Sequence, residues 1–135
     1  MKKILITGGS GFIGTNLIEH LLKKIDAELL TLDINEPKID YHNRFWKRVD
    51  IREYEELREK IVEYKPDIVI HLAARTDLRG LTLKDYDANM TGVSNLLKAI
   101  DEAGTVQKAV FASSMYVCEP GYMPKDFEDY APHTL

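Results

Sequence analysis

Gly8, Gly9, Gly11 and Gly14 follow directly on the run Ile4-Leu5-Ile6-Thr7, and their spacing is the first feature of the chain that could do chemistry. The apolar run reads as a buried strand, and beyond the glycines apolar residues recur at helical spacing at Ile13, Leu17 and Leu21. A strand that turns sharply into a helix aims free backbone N–H groups, and the positive end of the helix dipole, at one place. Such a place suits a phosphate. Glycine there admits a turn, and an approach of the ligand, that a Cβ would block.

Gly9-x-Gly11-x-x-Gly14 satisfies the dinucleotide fingerprint, and Gly8-x-x-Gly11-x-x-Gly14 is a second phrasing of the same loop. Glycines of this kind also serve plain turns, so the loop gains meaning only from its surroundings. It lies between an expected strand and an expected helix, and Asp33 lies 19 residues beyond Gly14 at the end of the next strand. An acid there can accept hydrogen bonds from both hydroxyls of an adenosine ribose. The same charge repels a 2′-phosphate, and no Lys or Arg follows before Lys38, so NAD is expected rather than NADP. Asn35, just past Asp33, is counted with the cofactor-binding residues. A flavodoxin-like FMN site is the lesser alternative, because FMN offers no ribose diol to that carboxylate.

The elements that must position these residues can be read in order. Strands are expected at Ile4–Ile6, Ala27–Asp33, Phe45–Val49, Asp67–His71 and Lys108–Ala112. Helices are expected from Ile13 to Ile25, from Glu53 to Tyr64 ahead of Pro66, and over Leu83–Ala103 with Gly104 as C-terminal cap. The strand Asp67–His71 reads as buried on both faces. Arg75 to Gly80 reads as a charged loop, and the proline-rich stretch from Glu119 onward as loop. Alternating strands and helices imply an α/β fold, with a doubly wound parallel sheet of Rossmann type. Its expected strand order is 3-2-1-4-5, the ligand crossing the carboxyl ends. Residues 1–118 form the binding domain in this reading, and 119–135 a loop segment beyond it.

Composition narrows the class. In 135 residues, 44% are hydrophobic and 30% charged, which is ordinary for one globular domain and excludes a disordered chain. A net charge of −4 without a basic block points away from nucleic acid. The apolar run after Lys2-Lys3 ends at Thr7, short of the roughly 7–15 residues of a signal-peptide core, and no stretch approaches the ~20 of a membrane span. One cysteine, Cys118, fits a reducing compartment, so a soluble, cytoplasmic chain is expected. The histidines share no spacing with acids or Cys118 that suggests a metal site.

Several separate motifs resemble the extended short-chain dehydrogenases/reductases, the nucleotide-sugar epimerases and dehydratases. Thr7-Gly8-Gly9-Ser10-Gly11-Phe12-Ile13-Gly14 is similar to the family's pyrophosphate loop. Asp50-Ile51 resembles the acidic-aliphatic pair that holds the adenine, and His71-Leu72-Ala73-Ala74 the turn along which the cofactor passes. Asn89-x-x-Gly92 resembles the element whose asparagine orders the active-site end of the cofactor. Ser113-Ser114-Met115-Tyr116-Val117 resembles the segment whose second serine bonds the reacting hydroxyl or carbonyl. The resemblance therefore implies a cofactor site made of Gly8, Gly11, Phe12, Ile13, Gly14, Asp33, Asn35, Asp50, Ile51, Leu72, Ala73, Ala74, Arg75 and Asn89. Ser114 is the implied catalytic residue, NAD the cofactor, a nucleotide sugar the substrate, and a homodimer the candidate assembly.

Bland roles compete: Asp50 as a helix cap, Ser114 as a strand-end residue bonding the local backbone, and His71 as a structural group. Two departures stand out. Val117-Cys118-Glu119 replaces the family's Val-Tyr-Gly, and Tyr130 to Leu135 resembles the approach to a Tyr-x-x-x-Lys motif that the sequence does not contain. Family members use that tyrosine as acid/base, its pKa lowered by the lysine and the nicotinamide. The chain is thus expected to be the NAD-binding part of a longer enzyme, inactive alone and open to self-association along an exposed sheet edge. A catalytically silent dinucleotide-binding sensor or scaffold is the alternative.

Overall fold

A computed structural model describes residues 1–132; the expected approach to the tyrosine–lysine motif runs on into His133, Thr134 and Leu135, which lie outside the described residues. Strand β1 (Lys2–Thr7) leads through the glycine loop into α1 (Phe12–Lys24), then β2 (Ala27–Asp33). Strand β3 (Trp46–Arg48), α2 (Tyr54–Tyr64), β4 (Ile68–His71), α3 (Asp87–Ala103) and β5 (Lys108–Phe111) follow. All pairings are parallel, as the alternation of elements predicts, and the order is β3-β2-β1-β4-β5, the one expected of a dinucleotide-binding fold. Five carboxyl ends therefore share one edge of the sheet.

Side chains alternate across β1 and divide the core in two. Ile4 and Ile6 meet α1 through Ile18 and Leu21, with Leu29 of β2. Leu5 faces the other way and joins Leu32, Val69, Leu57 and Ile61 of α2, and Leu96 and Ala99 of α3. Glu102 of α3 accepts hydrogen bonds from Tyr54 and Arg58 of α2, tying the two helices along their outer surface.

Covering is unequal, and this corrects the expectation for β4. Val69 is buried in the core with α2 and α3, and His71 is buried beside Thr7 and Phe111, but Ile68 and Ile70 are only half-buried, because α1 is the one helix on their side among the described residues. Strand β5, at the edge, is exposed along its whole length.

Three other local departures have physical causes. The expected helix Leu83–Ala103 is broken into a 3₁₀ turn, Leu83–Tyr86, and then α3. Thr82 and Asp85 form a capping box on the short turn. Tyr86, at φ −106° and ψ 25°, turns its side chain inward, where its hydroxyl donates to the Asp77 carbonyl (2.9 Å) and accepts from the Gly80 amide (3.1 Å). A 3₁₀ turn, Asp40–Arg44, for which no element was expected, also stands between β2 and β3. Its buried His42 meets Glu19 of α1 at 2.8 Å (Nε2 to Oε1). Finally, the loop after Cys118 folds back, and Ala131 pairs with Cys118. The Asp129 carboxylate gathers this segment by accepting from the Tyr122 hydroxyl (2.6 Å) and the Lys125 amide (2.9 Å).

Candidate functional site: the carboxyl edge of the sheet

The glycine loop is held by contacts that leave no room for side chains. Gly8 has φ +76°, and a Cβ on it would lie 2.6 Å from the Ala73 amide nitrogen and 2.7 Å from the Leu72 carbonyl carbon. The loop after β1 and the turn after β4 therefore touch backbone to backbone, and the small residues of Leu72-Ala73-Ala74 serve that approach. Gly14 is buried against Gly8 and Gly9. Gly11 is different: its φ is −73°, and an added Cβ would meet only the Gly8 carbonyl oxygen, at 3.3 Å.

Gly11 caps α1 without a side chain, and the first turn carries no acid. The amides of Phe12, Ile13 and Gly14 thus stand at a helix N-terminus that no capping side chain satisfies. Phe12 and Ile13 are themselves exposed, at 79% and 62%. This is a fit to an incoming anion.

Asp33 is joined to that loop directly. Its carboxylate accepts from the Ser10 amide (Oδ2, 3.0 Å) and the Asn35 amide (Oδ1, 3.0 Å). The Ser10 hydroxyl in turn donates to the Asn35 carbonyl at 2.8 Å. The acid and the glycine loop form one hydrogen-bonded unit, which their separation in sequence does not disclose. Asn35 enters this unit through its backbone.

At the end of β3, Asp50 is gripped by Arg52, whose guanidinium donates to both carboxylate oxygens at 2.6–3.1 Å. The Arg52 amide also donates to Asp50, and these contacts hold the carboxyl below its usual range. The competing helix-cap role for Asp50 is not what the geometry shows: α2 begins at Tyr54 with Glu53 as its flanking residue. Ile51 is buried in the core under Gly92.

Past β4, the Asn89 carboxamide faces the backbone of Arg75 and exchanges two hydrogen bonds with it. The Arg75 guanidinium turns into its own loop, bonding Asp77 (2.8 and 3.1 Å) and the Asp85 carbonyl (2.9 Å) and lying 5.2 Å from the Tyr86 ring. Arg75 thus braces the loop through its side chain. His71 is buried; Thr7 Oγ1 lies 2.6 Å from its Nδ1 and accepts weakly from the Ala73 amide at 3.4 Å. Burial pushes the imidazole pKa down, so His71 is a neutral strut.

Ser114 sits past β5, next to β4 in the sheet, and caps a 3₁₀ turn at Met115–Val117 by accepting from the Tyr116 amide at 3.1 Å. Its hydroxyl keeps a proton to donate. Among the described residues no group of three or more His, Cys, Asp or Glu could hold a metal, and no helix is long and apolar enough to cross a membrane.

The structure brings the glycine loop, Asp33, Asn35 and the Leu72–Ala74 turn into direct contact, and places Asp50, Asn89 and Ser114 along the same edge. Ser10 and Asn95 carry part of the framework without having been singled out in the sequence. Ser10 could have been found as the variable residue inside the fingerprint, and Asn95 by its helical spacing from Gly92.

The chain matches the NAD dependent epimerase/dehydratase family over residues 4–134. It is 35% identical over 137 residues to a UDP-glucose 4-epimerase of Neisseria meningitidis serogroup C, covering 92% of this chain and 40% of that protein. The fold is similar to the UDP-glucose 4-epimerase of Thermus thermophilus in complex with NAD, with a TM-score of 0.74 and 29% identity over 98% of this chain and 44% of that one. A monomeric L-threonine 3-dehydrogenase from a metagenome, in its apo form, gives 0.79 and 32% over 97% and 43%. The chain thus spans less than half the length of these relatives. With a family match across nearly its whole length and a glycine loop bonded to the acid of β2, the chain belongs to the NAD dependent epimerase/dehydratase family.

Proposed function

We propose that this chain is the NAD-holding part of an enzyme acting on a nucleotide sugar, of epimerase or dehydratase type. The observation that carries the reading is the Ser10–Asp33 bond, which makes the phosphate-binding loop and the ribose-binding acid a single preformed unit. Residues 1–118 serve as the binding domain, with 119–135 leading beyond it. Gly8, Gly11, Phe12, Ile13 and Gly14 hold the pyrophosphate, Asp33 and Asn35 the adenosine ribose, and Asp50 and Ile51 the adenine. Leu72, Ala73, Ala74, Arg75 and Asn89 line the rest of the cofactor's path.

When bound, NAD supplies a hydride acceptor for a sugar carbon. Ser114 donates a hydrogen bond to the reacting oxygen, its lone pair already engaged by the Tyr116 amide. The acid/base pair is missing: none of the seven tyrosines is followed four residues later by lysine. The chain by itself therefore binds NAD without turnover. A single half-exposed cysteine suits a reducing cytoplasm, and the open edge of β5 suits pairing with a second copy.

Calorimetric titration with NAD, NADP and FMN tests the cofactor. NAD should bind at least tenfold tighter than NADP, and a preference for NADP or FMN overturns the use made of Asp33. Incubation with NAD and UDP-glucose, dTDP-glucose or L-threonine tests inactivity, and measurable product overturns it.

A further inference from the structure

Asn95 takes no part in the motifs above, yet it makes the contacts that join α3 to the loop after β3. Its Nδ2 donates to the Arg52 carbonyl at 2.8 Å and to the Ile51 carbonyl at 3.1 Å. One turn earlier on the same helix, Gly92 lies so close to Ile51 that a Cβ would come within 2.5 Å of Ile51 Cδ1. A further turn back, Asn89 holds the Arg75 backbone. Spaced three apart, the three residues lie on the inward side of α3, the side that buries Leu96 and Ala99.

We propose that α3 is a strut holding two ligand-facing loops at once, with Asn95 as the positioning residue for the adenine end. This rests on the assignment of Asp50 and Ile51 to the adenine. The Asp50–Arg52 segment leaves a strand of three residues, and α2 does not begin until Tyr54. Within it, Asp50 is braced by Arg52, an exposed partner in the same segment. Successive carbonyls of Ile51 and Arg52 are clamped from outside by Asn95, and clamping two adjacent peptide groups sets the direction of the chain that carries Asp50. Asn95 acts through the backbone and touches no ligand. A donor is required: two carbonyl oxygens face one nitrogen, so an isosteric carboxylate would face both with repulsion.

The test compares Asn95→Asp and Asn95→Ala with the unaltered chain by calorimetric titration of NAD, AMP and nicotinamide mononucleotide. Hydrogen–deuterium exchange across residues 50–54 is read in parallel. Asn95→Asp should weaken NAD and AMP about tenfold, leave nicotinamide mononucleotide unchanged, and speed exchange in that segment; Asn95→Ala should do the same more mildly. Unchanged AMP binding, or equal weakening of all three ligands, overturns the proposal. If the unaltered chain binds neither NAD nor AMP, the dinucleotide reading itself fails. The exchange measurement still decides the clamp, which unchanged protection in both variants would refute.

Discussion

Asn89 and Arg75 exchange two hydrogen bonds: the Arg75 amide donates to Asn89 Oδ1 at 2.8 Å, and Asn89 Nδ2 donates to the Arg75 carbonyl at 3.0 Å. One carboxamide thus stands in for a strand partner at the point where the chain leaves β4 and its turn. A side chain that both accepts and donates is needed, and only Asn offers this at that reach. The loop it anchors is then self-supporting, through the Arg75–Asp77 pair and the Tyr86 hydroxyl.

Asn89→Ala should cost about 1 kcal/mol, the net worth of a hydrogen-bonded contact at a surface. Its clearer signature is faster hydrogen exchange over residues 75–86. Asn89→Asp keeps the acceptor but turns a carboxylate oxygen onto the Arg75 carbonyl, and should speed exchange at least as much as alanine does. Protection in this loop equal to wild type in the alanine variant would show that the loop does not depend on Asn89.

Gly92→Ala should destabilise by about 1–3 kcal/mol, because the new methyl collides with Ile51 in a packed core. Ile51→Val removes the nearest carbon and costs about 0.5–1.5 kcal/mol alone. Combined, the two should cost less than their sum, since the second relieves the collision made by the first. Urea unfolding of all four proteins reads the coupling, and strict additivity would count against close packing at this point.

Gly8 and Gly11 should separate fold from binding. Gly8→Ala places a Cβ against backbone that cannot yield and at a positive φ, so a loss of several kcal/mol or failure to fold is expected. Gly11→Ala has an ordinary φ and one tolerable contact, so its melting temperature should stay within a few degrees of wild type. If the proposed site holds the pyrophosphate, its affinity for NAD should drop at least tenfold, because the methyl would crowd the loop's ligand-facing side. Unchanged affinity in Gly11→Ala would remove the pyrophosphate from this loop.

His71 gives a pH dependence with a definite sign. Burial lowers its pKa in the folded chain, while the unfolded chain titrates near the usual value of about 6.5. Below that value the unfolded state binds the extra proton first, so stability is full above about pH 6.5 and declines as pH falls through the folded pKa. His71→Asn should flatten the slope just below pH 6.5. Urea midpoints between pH 5.5 and 7.5 for both proteins provide the check, and an equal slope in the variant would assign the effect to other groups.

Sequence alone determined the fold class and the glycine turn between β1 and α1, because both rest on local periodicity and on a short motif whose spacing is set within one βα unit, while the strand order followed from the dinucleotide-binding fold that the motif implies. Gly8 to Gly14 and Asp33 were legible for that reason. The break at Tyr86 was not, since the apolar spacing of Leu83–Ala103 continues through it while a hydroxyl turned toward Asp77 and Gly80 bends the backbone. Nor did local sequence reveal that Ser10 meets Asp33 or that Asn95 meets Ile51 and Arg52, separated by 23, 44 and 43 positions. Such contacts exist only once α3 has packed across the sheet beside α2 and β2 has paired with β1. Tertiary structure decided them, because a polar side chain's partner depends on which loops the fold brings within hydrogen-bonding distance of it.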